Sequence, residues 1–73
     1  MSSARMAPAN LQHLTDEQLY SLRMATRAIK HTLEAKPVRV SQEDEMLSIA
    51  RANLRNLTRE VNRRIAEAQL SLF

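Results

Sequence analysis

Apolar positions recur every three or four residues along two stretches of this chain, and a short proline-containing segment separates them. In the first stretch Leu19, Leu22, Ile29 and Leu33 fall at heptad spacing, with Thr26 in the remaining place and Ala25 beside it. That period lines them along one side of an α-helix. In the second stretch Leu47, Ala50, Leu54, Leu57, Val61, Ile65, Ala68 and Leu72 repeat at threes and fours. This is an unbroken helical stripe of about seven or eight turns.

Both stretches carry start signals. Thr15 opens TDEQ, a capping box in which the hydroxyl takes an orphan amide and Gln18 reaches back. Leu14 and Leu19 sit where a hydrophobic staple would, and Asp16 and Glu17 place negative charge at the positive helix end. The first helix is predicted over 16–35, ended by Lys36-Pro37, because a residue before proline is pushed out of helical geometry. Ser41 opens SQED, a second capping box with Asp44 as the reciprocal partner, which predicts a helix over 42–70. Between them 36–41 reads as an extended connector whose valines, Val38 and Val40, drape over the end of the hairpin. Residues 1–9 show no periodicity and read as a flexible tail. The fold class is all-α, an antiparallel two-helix hairpin with a possible extra helical turn in NLQHL at 10–14.

The helices are unequal. At about 1.5 Å per residue the first spans roughly 30 Å and the second roughly 43 Å. Antiparallel folding puts Leu33 near Leu47, Ile29 near Ala50, Thr26 near Leu54, Leu22 near Leu57 and Leu19 near Val61. Ile65, Ala68 and Leu72 are left without a partner on the first helix. Either Leu11 and Leu14 fold back over them, or another chain covers them.

Composition narrows the chemistry. The 73 residues include no glycine, cysteine or tryptophan. Disulfides, thiol nucleophiles, thiolate metal sites and glycine-rich phosphate loops are therefore excluded. His13 and His31 lack ligand-like spacing, so no metal site is expected. Glu43, Asp44 and Glu45 are explained as helix-start charge, and no acid–base pair stands out. No catalytic residue and no cofactor is expected. No apolar run approaches a transmembrane span, and no leader of signal-peptide type is visible at the N-terminus. Together with the lack of cysteine, this points to a cytoplasmic location without membrane insertion.

Charge adds one distinctive pattern. The formal net charge is +3, and Arg51, Arg55, Arg59 and Arg63 follow one another at i,i+4 as a ridge. Glu60 is placed to pair with Arg64, and Glu67 with Arg63. Arg51, Arg55 and Arg59 are the least compensated within their helix. Such a ridge is either a solvated or interhelically paired flank or a surface for anions and nucleic-acid phosphates. Arg23, Arg27 and Lys30 form the corresponding flank of the first helix, and convergence of the two flanks decides between these readings.

Opposite the first seam runs a softer stripe of Tyr20, Met24, Ala28, His31 and Ala35. On the second helix Met46, Ile49 and Ala52 lie off the main seam, while Ile65, Leu72 and Phe73 extend past the expected hairpin. Methionines and a tyrosine suit an adaptable protein contact. A chain this short holds a thin core, so completion by its own copy or another helical protein is the physical expectation. The expected function is a small interaction module: an adaptor, co-chaperone or assembly subunit. The alternative is a nucleic-acid-binding helical dimer that uses the arginine ridge.

Overall fold

The computed structural model describes residues 8–71, which form three helices and, among the described residues, no strand. Helix α1 spans Pro8–Leu11, α2 spans Asp16–Glu34 and α3 spans Ser41–Leu70. Helices α2 and α3 make the antiparallel hairpin, and α1 packs on α3. The fold class is the one the pattern predicts, with both long helices within a residue of their expected limits. Helix α1 starts at Pro8, inside the stretch read as tail, and stops at Leu11, so the extra turn lies earlier than NLQHL. The rest of the expected tail, together with Leu72 and Phe73, lies outside the described residues.

The first helix start is as expected. Thr15 has extended backbone, its Oγ1 accepts from the Gln18 amide at 3.1 Å, and Gln18 Oε1 accepts from the Thr15 amide at 3.0 Å. The second start is shifted by one residue. The N-cap is Val40, whose side chain has no acceptor, and Ser41 is already helical. Only half of a capping box forms, with Glu43 Oε1 accepting from the Val40 amide at 3.2 Å. The reciprocal carboxylate is thus Glu43, which also pairs with Lys36, while Asp44 turns to Arg39 at 2.8 Å.

With no glycine available, α2 is closed by other means. Its C-cap, Ala35, stays right-handed, and no described residue has positive φ. Arg39 Nη1 instead donates to the carbonyls of Leu33 at 3.2 Å and Lys36 at 3.4 Å, adding a side-chain donor to a helix end where Leu33 also accepts from the Lys36 amide at 3.3 Å. This reverses the expectation for the connector. Val38 and Val40 point to solvent, 81% and 61% exposed, and the arginine between them folds inward.

Leu19, Leu33, Leu47, Ala50, Leu57 and Val61 are buried between the long helices, with Thr26 and Asn53 as polar members of the same interface. The Thr26 hydroxyl is satisfied within α2, donating to the Leu22 carbonyl at 2.8 Å. Leu11 joins Leu19, Leu57 and Val61 in one cluster, against which Leu14 and Leu22 pack. Leu11 and Leu14 therefore do fold back, but onto the hairpin body. Ile65, Ala68 and Leu70 stay exposed beyond it.

Two seam assignments change. Ile29 is 48% exposed, because α1 covers only the end of the hairpin away from the connector. Leu22, in the same column of α2 as Ile29, has Leu14 and Leu11 beside it and is half-buried. Leu54, expected opposite Thr26, is half-buried and lines a groove, and the neighbouring Asn53 takes the interior place.

Candidate functional site

Three clusters of polar and apolar side chains merit description as sites. The first is an ion-pair network that joins all three helices. Glu60 is buried on α3. Arg63 grips it with Nε at 2.9 Å and Nη2 at 2.6 Å, and Arg64 Nε donates to it at 2.7 Å. These two arginines hold the Glu60 carboxyl down at about 2. Arg64 continues outward, with Nη1 on Asp16 at 2.7 Å and Nη2 on the Leu14 carbonyl at 2.7 Å and that of Leu11 at 3.1 Å. One side chain thus closes the loop between α1 and α2 onto α3. Arg63 also meets Glu67, as the i,i+4 spacing predicts. Arg63 is accordingly neutralised and drops out of the anion-binding ridge.

The second cluster is an open groove of about 590 Å³ between α2 and α3, lined by Lys30, Glu34, Arg51, Leu54, Arg55, Thr58 and Arg59. Lys30 is the one member of the α2 basic flank among its lining residues, and it shares the groove with Arg51, Arg55 and Arg59 of α3. Arg51 Nη2 reaches across to Glu34 at 2.9 Å, and Lys30 approaches the same carboxylate at 3.9 Å. The Arg51 hydrogen bond and the Lys30 charge lower the Glu34 pKa. Arg55 and Arg59 have no ion-pair partner among the described residues. The lining sets four cations against one carboxylate, and that surplus equals the net charge of +3 of the whole chain. Arg23, two turns before Lys30 in sequence, also has no ion pair among the described residues, and its Nε is buried without an acceptor among them. The ridge therefore divides: Arg51 is paired between helices, Arg63 within its helix, and Arg55 and Arg59 have no carboxylate partner among the described residues.

The third cluster is a smaller open groove at the end away from the connector. Leu19 and Tyr20 from α2 and Val61, Ile65 and Ala68 from α3 form its apolar surface, with Asp16 and Arg64 at the edge. Tyr20 is 49% exposed and Met24, one turn on, is 71% exposed. Ala28 and His31 continue that stripe on the solvent side of α2, and Met46 is exposed on α3 while Ile49 is half-buried. Tyr20 and Ile65 are thus brought to one groove from opposite ends of the sequence.

His13 and His31 are both exposed, and no group of metal-ligating side chains gathers among the described residues. Among the described residues no helix is long and apolar enough to cross a membrane. No protein-family model, no characterised protein and no solved structure matches the chain.

Proposed function

We propose that this chain is a small helical interaction module, an adaptor, co-chaperone or assembly subunit that works by contact, with a second copy of itself as the first partner. The observation that carries this reading is the apolar surface around Tyr20. It runs along α2 to Met24 and across the groove to Ile65 and Ala68 on α3. The dimensions support it. The molecule measures 50 × 29 × 15 Å, and 15 Å is little more than the thickness of one helix, which is about 10–12 Å. Each long helix therefore turns a face to water, and α3 runs on beyond its partner.

A standard interface takes about 800 Å² from each partner. Against a total surface of 5722 Å², that is one face of the rod. Pairing through the Tyr20 face also gives the exposed end of α3 a neighbour and enlarges a core too thin for comfort alone. The direct test is the solution mass. Wild-type protein is expected to elute as a defined multiple of 8.4 kDa, and the double variant Tyr20→Glu/Met24→Glu as the monomer with its helical circular dichroism retained. A monomeric wild type, or an unchanged mass in the double variant, overturns self-association through the Tyr20 face.

A further inference from the structure

An adaptor needs a second surface besides the one that joins it to its own copy, and the groove between α2 and α3 has the chemistry for one. We infer that this groove docks an acidic amphipathic helix of a partner protein, its carboxylates on Arg55 and Arg59 and its apolar side chains on Leu54 and Thr58. The inference rests on the interaction-module reading and names the kind of partner.

Three observations carry it. First, the groove already holds one carboxylate, that of Glu34, against Arg51 and Lys30. The next two arginines of the row stand one and two turns further along α3, without acidic partners among the described residues. Steps of four residues advance about 6 Å along a helix. A neighbouring helix with acidic residues four apart offers carboxylates at the same step, so the row repeats outward the pairing that Glu34 begins.

Second, the floor between the cations includes Leu54 and the methyl-bearing Thr58. An apolar floor with a guanidinium rim fits an amphipathic helix, whose leucine-like stripe is buried while its acidic edges meet the rim. A nucleic-acid backbone would leave that floor unused, and no aromatic side chain lines the groove for base stacking. Third, a helix laid between α2 and α3 turns the single layer into a three-helix bundle, the packing that a thin hairpin lacks. The charge surplus concentrated here gives such a helix both attraction and direction.

The test uses full-length protein and a fluorescently labelled peptide of about 20 residues, long enough to hold helix. The peptide carries a leucine stripe flanked by glutamates at every fourth position. A copy with lysine in place of glutamate is the control, and a short DNA duplex is the competing probe. Fluorescence anisotropy is expected to show saturable binding of the glutamate peptide, weakening as salt rises. Arg55→Glu/Arg59→Glu should weaken it by at least about tenfold, a clear shift in Kd, and should bind the lysine peptide instead. Arg55→Gln/Arg59→Gln, with circular dichroism as the check on folding, should likewise weaken binding of the glutamate peptide but should not gain the lysine peptide.

Equal binding of the glutamate peptide by wild type and both variants, or no binding at all, overturns the proposal. So does a duplex that binds more tightly than the peptide and loses affinity in the same variants, which assigns the groove to phosphates. Solution mass separates this from the parent reading. Loss of peptide binding with the oligomer intact concerns the groove alone, and a monomer that still binds peptide removes self-association and leaves the groove assignment standing.

Discussion

Glu60 shows what a single side chain does in so small a protein. It is buried, yet two guanidiniums satisfy it, and its carboxyl is held at about 2 by Arg63 first and Arg64 second, against an ordinary 4.5. A carboxylate lowered in the folded state stabilises the fold fully above its unfolded value, and that contribution is lost as the pH falls through the folded one. Acid should therefore weaken the hairpin between about pH 4.5 and 2. Thermal melts across that range are expected to show a steep fall for wild type and a shallower one for Glu60→Gln. An identical acid profile in the variant would count against the role given to this network. The in-helix pairs, Glu60 with Arg64 and Glu67 with Arg63, were readable because i,i+4 spacing alone makes them neighbours. The bonds from Arg64 to the carbonyls of Leu11 and Leu14 were not. Every residue carries a carbonyl, so nothing in the letters marks those two as its acceptors.

At the scale of elements, the two helix starts invite a direct comparison. Thr15→Ala removes a hydroxyl that accepts from the Gln18 amide, and the expected cost is about 1 kcal/mol. Ser41→Ala should change stability by less than about 0.5 kcal/mol, because Ser41 is inside the helix and Glu43 serves the cap. Urea melts of the two variants side by side check both values, and equal losses would restore Ser41 as a cap. SQED has the letters of a box, which explains the one-residue error. Glu43, however, lies three residues after Val40 and is also drawn back by Lys36 on the connector. The closure of α2 by Arg39 was hidden for a related reason. A glycine would have announced the helix end, whereas an arginine reaching back from six residues away resembles any surface cation.

For the molecule as a whole, the hairpin itself was legible from two periodic stretches and a proline, and the side-to-side arrangement was not. Ile29 and Leu22 share a column of α2, and only the docking of α1 at one end makes one exposed and the other half-buried. Convergence of the basic flanks likewise depends on how two antiparallel helices face each other. The burden on the interior is concentrated. Leu57 is fully buried at the centre of the cluster with Leu11, Leu19 and Val61. Leu57→Ala should cost about 2–5 kcal/mol, comparable to the roughly 3–5 kcal/mol that a core of this size supplies. Loss of a cooperative melting transition is the expected outcome, and a sharp melt at an unchanged temperature would contradict it. The placement of α1 also has a kinetic consequence. Pairs nearer the connector, such as Arg51 with Glu34, close a loop of 17 positions, whereas Arg64 meets Leu11 across 53 positions of sequence. Short loops form first, so the hairpin zips from the connector outward and the α1 end is the last to fasten and the first to breathe. Amide exchange should run along this gradient, fastest near Leu11 and Leu14. The part of the rod that opens most readily is then the part beside Tyr20 and Ile65, where a second copy would arrive and hold it shut.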